Sequence, residues 1–193
     1  EFEPDDVIAR VILIQIDLKT NQLNAALEQA RQLKALHPDK NAGFDMLGDV
    51  YIALNKPDQA IRYYQQSIDI SKSTDTYLKL HSAYNRNNQV KQGFELLQQW
   101  VKQNPQDLRL KEVLALTYQR QGEYPKAQFL YEEIVDKSRN NDRALNNLAL
   151  VSLELKSPMS IEYAEMAYKI DSDNINNKDT LGWVLLNNHN PRK

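Results

Sequence analysis

The stretch Phe44-Asp-Met-Leu47-Gly48-Asp-Val-Tyr51-Ile-Ala-Leu-Asn-Lys-Pro57-Asp-Gln-Ala60 decides the fold. At about 100° per residue, Phe44, Leu47, Gly48 and Tyr51 share one face of a helix. Pro57 then starts a second helix, whose apolar stripe is Ala60, Ile61, Tyr64 and Ile68. The pattern recurs along the chain. Leu13, Leu47, Leu80, Leu114, Leu148 and Leu181 follow one another at intervals of 34, 33, 34, 34 and 33 residues. Tyr51, Tyr84 and Tyr118 keep the same phase, as do Ala26, Ala60, Gly93, Ala127 and, with one residue deleted, Ser160. Next to the leucines stand Ile14, Gly48, His81, Ala115, Ala149 and Gly182, mostly small residues where two helices must approach closely. Pro57, Pro125 and Pro158 fall between half-repeats, and Pro38 and Pro105 between repeats.

A period of about 34 residues with Leu-small, an aromatic, a later Ala and a closing Pro resembles the tetratricopeptide repeat, a helix-turn-helix unit. The resemblance implies an all-α superhelix of about five and a half repeats. These are 7–40, 41–73, 74–107, 108–141, 142–174 and a partial 175–193, with 1–6 as a linker or cloning scar. Complementary second-helix stripes, Phe94, Leu97 and Val101 and then Ala127, Leu130, Tyr131 and Ile134, support the same parse. One helix pair exposes a second apolar side, so stacking is obligatory. The sixth repeat is expected to hold a first helix at 179–188 and no second. Leu181, Trp183, Val184 and Leu185 then cannot all be covered, and the apolar surface left open is to be met by a continuing array, a partner or self-association through this open end. Glu1-Phe2 resembles a restriction-site junction, and the chain therefore reads as a fragment of a longer protein.

Composition narrows the function. The formal charge is -2 with 26% charged residues, which supplies no basic stripe for nucleic acid. No apolar run approaches the roughly 20 residues that span a bilayer, so no membrane insertion by this segment is expected. Zero cysteine excludes disulfides, zinc-thiolate sites and thiol catalysis, and suits a reducing cytosol and a periplasm equally. His37, His81 and His189 lie in different repeats without metal-ligand spacing, and His81 reads as a core or half-exposed packing residue. The five glycines form no phosphate-cradling loop, and Glu132-Glu133 reads as a solvated helix face. No catalytic, cofactor or metal site is expected, and the chain is expected not to be an enzyme.

The resemblance also implies a concave groove lined by first-helix residues. Carried over by register, the groove positions include Asp45 and Asp49, Asn85 and Arg86, Gln119 and Arg120, Asn146, and Trp183. Arg86 and Arg120 are equivalent, each behind an amide, and present forked donors suited to a carboxylate or a peptide backbone. The alternative is that both are solvated or paired with groove carboxylates such as Glu112. Trp183 is either a ligand contact or a residue that a second helix would cover. Trp100 sits in second-helix core phase, where alanine is usual in such repeats. The lysine and asparagine arrangement of the chaperone-binding members is absent, as is the asparagine ladder of the sugar-transferase members.

Ala144-Leu-Asn-Asn-Leu-Ala149, Glu162-Tyr-Ala-Glu-Met-Ala-Tyr-Lys169 and Asp179-Thr-Leu-Gly-Trp183 resemble bacterial tetratricopeptide lipoproteins of exosortase and exopolysaccharide systems. This implies a non-catalytic interaction scaffold for a peptide or protein partner, in a larger bacterial envelope assembly serving protein sorting or exopolysaccharide export. It places the chain in the periplasm or at the outer membrane rather than in the cytoplasm. The alternative is a regulatory or targeting arm of a larger enzyme or glycan exporter, with direct carbohydrate binding as a further option.

Overall fold

The computed structural model describes residues 6–189. The Glu1-Phe2 junction, the last residues of the sixth repeat and the side chain of His189 lie outside the described part. Among the described residues there are eleven α-helices and no strand: α1 (Val7–Lys19), α2 (Leu23–Leu36), α3 (Asn41–Ala53), α4 (Pro57–Ile70), α5 (Thr74–Arg86), α6 (Val90–Gln103), α7 (Leu108–Arg120), α8 (Tyr124–Lys137), α9 (Asp142–Glu154), α10 (Ser160–Ile170) and α11 (Ile175–His189). The helices form two compact units, one ending at Leu97 and the other beginning at Gln98, so α6 contributes to both.

Two repeating devices fix the helix ends. Four first helices open on a short polar cap, Asp6 accepting from Ile8 N–H, Ser73 from Thr76, Asp107 from Leu110 and Asn141 from Ala144, whereas α3 follows Lys40 with no side-chain cap. Within each pair the turn passes through one left-handed residue, Asn21, Asn55, Asn88, Gly122 or Lys156, at φ between 55° and 77°. Both devices keep the 34-residue phase. Pro57 and Pro125 occupy the first turn of α4 and α8. Pro158 does not do the same for its repeat: it stands in the turn, and α10 begins only at Ser160 and runs 11 residues against 14 for α8. α11 starts at Ile175, four residues before the expected Asp179.

In the first unit each helix packs on the next through α5, and α1 also touches α3. The core holds Ile14, Ala26, Ala30, Leu33, Met46, Leu47, Val50, Ala60, Tyr64, Leu80 and Ala83. Burying a side chain of Leu size contributes roughly 1.5–3 kcal/mol. At the crossing of α3 and α4 a Cβ placed on Gly48 would run into the Tyr64 ring. Glycine is needed there to admit the ring. The equivalent pair in α1 and α2 reverses the sizes, with Ile14 and Ala30 both fully buried. One expectation changes at this end. Leu13 is 40% exposed although it stands in the leucine ladder. The face of α3 that bears Leu47 is covered by α2, and among the described residues no helix precedes α1 to do likewise.

In the second unit α7 through α11 pack successively, and first helices also meet first helices, α7 with α9 and α9 with α11. Ala149, Ala164 and Val184 form a buried cluster, with Leu181 only half-buried beside it. Trp100 is buried, and its indole N–H donates to Asp107 Oδ2 at 2.7 Å. Asp107 Oδ1 caps α7 at the same time, so this tryptophan ties α6 to the start of the next helix. Glu133 differs from its expected solvated role: its Oε2 lies 3.0 Å from the Nζ of Lys111, a lysine whose side chain is only 5% exposed.

Candidate partner-binding strip

Asp45 and Asp49 project from α3 into a polar seam of the first unit. Asp45 Oδ1 accepts from Ser67 Oγ at 2.7 Å and from Thr76 Oγ1 at 3.1 Å, and Oδ2 accepts from Asn41 Nδ2 at 3.3 Å. Asp49 Oδ1 accepts from the Tyr64 hydroxyl at 2.7 Å, and Oδ2 pairs with Lys79 Nζ at 2.7 Å. These two carboxylates therefore knit α3 to α4 and α5. Burial pushes the Asp45 carboxyl above the usual carboxylate range, opposed by the Ser67 hydrogen bond and the Lys79 charge. Burial and the Asp49 carboxylate together push the Tyr64 hydroxyl up, with the Arg86 guanidinium near enough to oppose them.

Asn85 and Arg86 end α5. The Asn85 amide lies 2.9 Å from His81 Nε2, and His81 Nδ1 lies 3.1 Å from the Gly93 carbonyl. The arrangement suits a neutral ring with the proton on Nδ1, accepting from Asn85 at Nε2. Arg86 is exposed. Among the described residues its guanidinium makes neither a hydrogen bond nor an ion pair.

The second unit builds a related seam around Tyr131, which stands at the same register position as Tyr64. Its hydroxyl donates to Gln119 Oε1 at 3.2 Å. Burial pushes that hydroxyl up, and the Glu112 carboxylate adds to this, while an Asn147 hydrogen bond and the charges of Arg120 and Arg143 work against it. Glu112 Oε1 lies 3.0 Å from Arg143 Nη2. Arg120 is exposed and, among the described residues, also without a hydrogen bond or ion pair at its guanidinium. Asn146 is only 9% exposed, and its Oδ1 is buried with no partner. Trp183 is 49% exposed on α11, and a Cβ on the adjoining Gly182 would meet nothing within 4 Å.

The sequence-derived residues divide between the units, Asp45, Asp49, Asn85 and Arg86 in one and Gln119, Arg120 and Asn146 in the other. Trp183 stands apart at the end of the second. Periodicity marks Tyr64 and Tyr131 as core alone, and their hydroxyls prove to sit at the heart of both seams. The signal was the choice of Tyr over Phe at a buried position, since a buried hydroxyl demands a partner. Among the described residues no group of three or more His, Asp or Glu is placed to hold a metal ion, and no helix is long and apolar enough to cross a membrane.

Successive packed helix pairs are the architecture of tetratricopeptide-repeat proteins, a fold that is generally non-catalytic and binds protein or peptide partners. Tetratricopeptide-repeat family models match residues 44–74 and 112–174, and the chain carries tetratricopeptide repeats in a tetratricopeptide solenoid fold. Heat shock protein STI1 of Saccharomyces cerevisiae is 24% identical over 135 residues, covering 70% of this chain and 22% of that protein. Among solved structures, YrrB, a TPR protein with an unusual peptide-binding site, superposes with a TM-score of 0.64 at 16% identity, covering 91% of each chain. PilF of Pseudomonas aeruginosa superposes with a TM-score of 0.69 at 14% identity, covering 97% of this chain and 93% of that one.

Proposed function

We propose that the chain is an interaction scaffold whose first-helix strip holds a peptide or protein segment bearing carboxylates, and that it serves a larger bacterial envelope assembly for protein sorting or exopolysaccharide export. The observation that carries the binding reading is what the strip leaves unused. Asp45 and Asp49 are consumed by Ser67, Thr76, Tyr64 and Lys79, whereas the equivalent Arg86 and Arg120 keep their forked donors open to solvent. Guanidinium forks match carboxylates two bonds at a time. The peptide-binding site of YrrB, on the same fold, supports the choice of ligand class. The envelope assignment rests on the resemblance of the last third of the sequence to the exosortase-associated lipoproteins.

The test is affinity capture from a bacterial envelope extract with the native chain, Arg86→Glu, Arg120→Glu and the double variant. Reversing one charge at a bidentate contact costs several-fold or more in affinity, since hydrogen bonds to charged groups contribute about 1.5–3 kcal/mol. Loss of one specific protein in step with the substitutions is the expected result. Identical captured proteins across all four samples would reject these arginines as contacts.

A further inference from the structure

Phe129, on α8, breaks the repeat pattern on the outside of the second unit. At its register position the other second helices carry Glu28, Arg62, Glu95 and Glu162, and such charges keep a surface wet. Phe129 is instead 60% exposed. It stands at the wall of an open cavity of about 350 Å³, lined also by Leu114, Tyr118, Pro125, Lys126 and Leu130. That volume lies at the lower end of the range for pockets that take ligands, roughly 300–1,000 Å³. Leu114 and Tyr118 lie roughly opposite Glu112, Gln119 and Arg120 around α7, at about 100° per residue. The cavity is therefore separate from the strip.

Its lining is apolar except at one point. Lys126 Nζ sits 5.4 Å above the Tyr118 ring and 3.1 Å from Glu123 Oε2, while Gln98 Nε2 donates to the Tyr118 hydroxyl at 2.9 Å and holds that ring in place. The Lys126–Glu123 pair is more than half exposed on the lysine side and half exposed on the other, so it contributes little and exchanges readily for another carboxylate. An apolar hollow with a preplaced cation at its mouth complements an apolar group next to an anion. The cavity is open on one side and set between two helices, which suits a side chain carried in on another protein surface; such anchors seated in pockets dominate interface energetics.

We propose that this cavity is a second binding site, which takes an aromatic or large aliphatic side chain of a protein partner whose neighbouring residue is acidic. The probe is acetyl-Phe-Asp-amide, compared with its neutral isostere acetyl-Phe-Asn-amide, titrated to millimolar concentration into the 15N-labelled chain. Saturable amide shifts are expected around Tyr118, Lys126 and Phe129, with the aspartyl peptide binding about threefold tighter, the worth of one exposed charge pair. Phe129→Glu restores the charge that the other repeats carry, so it leaves the helical circular dichroism unchanged, and it should abolish the shifts with both peptides. Lys126→Gln should erase only the preference for the acid, and Arg120→Glu on the strip should change neither. No saturable shift at these amides, or shifts that persist in Phe129→Glu, would overturn the site; equal affinity of the two peptides for the native chain would overturn its preference for an acidic neighbour.

Discussion

Gly48 and Gly182 occupy one register position and meet opposite surroundings. Gly48 faces the Tyr64 ring, which is buried and held by Asp49, whereas Gly182 faces open space. Gly48→Val should therefore overpack the α3–α4 crossing at a cost of about 1–3 kcal/mol, while Gly182→Ala should be neutral or stabilise by up to about 1 kcal/mol through helix propensity. Urea denaturation of both variants checks the contrast, and equal effects would refute it. Asp45 adds a pH signature at the same scale. A carboxyl whose pKa is raised in the folded state contributes stability that is fully present below its unfolded value of 3.8 and lost as pH rises through the folded pKa. Asp45→Asn removes that titration. Its stability relative to the native chain should accordingly be most favourable at neutral pH and worsen as pH falls toward about 4. The same offset at both ends of this range would show that the carboxyl titrates alike in the folded and unfolded chain.

At the scale of the helix and its ends, the left-handed turn residues offer the clearest handle. Four of these five positions hold Asn or Gly, which tolerate positive φ, and the fifth holds Lys156 at φ 55°. A non-glycine residue in this region costs roughly 1–2 kcal/mol, so Lys156→Gly should stabilise by about 0.5–1 kcal/mol after the entropy of glycine is counted, and Gly122→Ala should destabilise by about 1 kcal/mol. Thermal melts of the two variants should move in opposite directions. Helix pairs, the core stripes and most turn prolines were legible in the sequence because a buried face repeats with a fixed period. What was not legible belongs to single side chains. Leu13 keeps its place in the period yet is exposed, since periodicity reports which face a residue occupies and not whether a neighbour covers it. Pro158 stands two residues before Ser160, as Pro125 does before Ala127, yet α10 begins only at Ser160, because the spacing of a proline does not fix where its helix starts. Among the groove residues, register identified the positions, but it could not tell the spent carboxylates of Asp45 and Asp49 from the open guanidinium of Arg86, as that depends on partners more than 20 residues away in sequence such as Thr76 and Lys79.

Over the whole molecule, stability in a stacked array is the sum of each repeat and its contacts with its neighbours. The described helices differ widely in how much they bury: Ile14 is the buried residue of α1, whereas α3 buries six and α9 seven. Ile8, Ile12, Leu13 and Ile16 of α1 remain exposed, as do Trp183 and Leu186 of α11. Native-state hydrogen exchange should therefore find α1 opening at lower free energy than α3 or α9. Protection of α1 equal to that of α3 would mean that its exposed face is covered in solution.

The size pairing at the helix crossings carries a consequence for how such a chain can be rearranged. Gly48 accepts Tyr64, Ala115 stands in register with Tyr131, Ala149 with Ala164, and Ile14 with Ala30. In these four hairpins the first helix is thus matched to its own second helix, and a hairpin is the smallest exchangeable module. Splicing α4 behind α1 would drive a tyrosine into an isoleucine, and splicing α2 behind α3 would leave a ring-sized hole. Shuffling or duplication that respects hairpin boundaries preserves the fit, whereas a breakpoint inside the turn scrambles it.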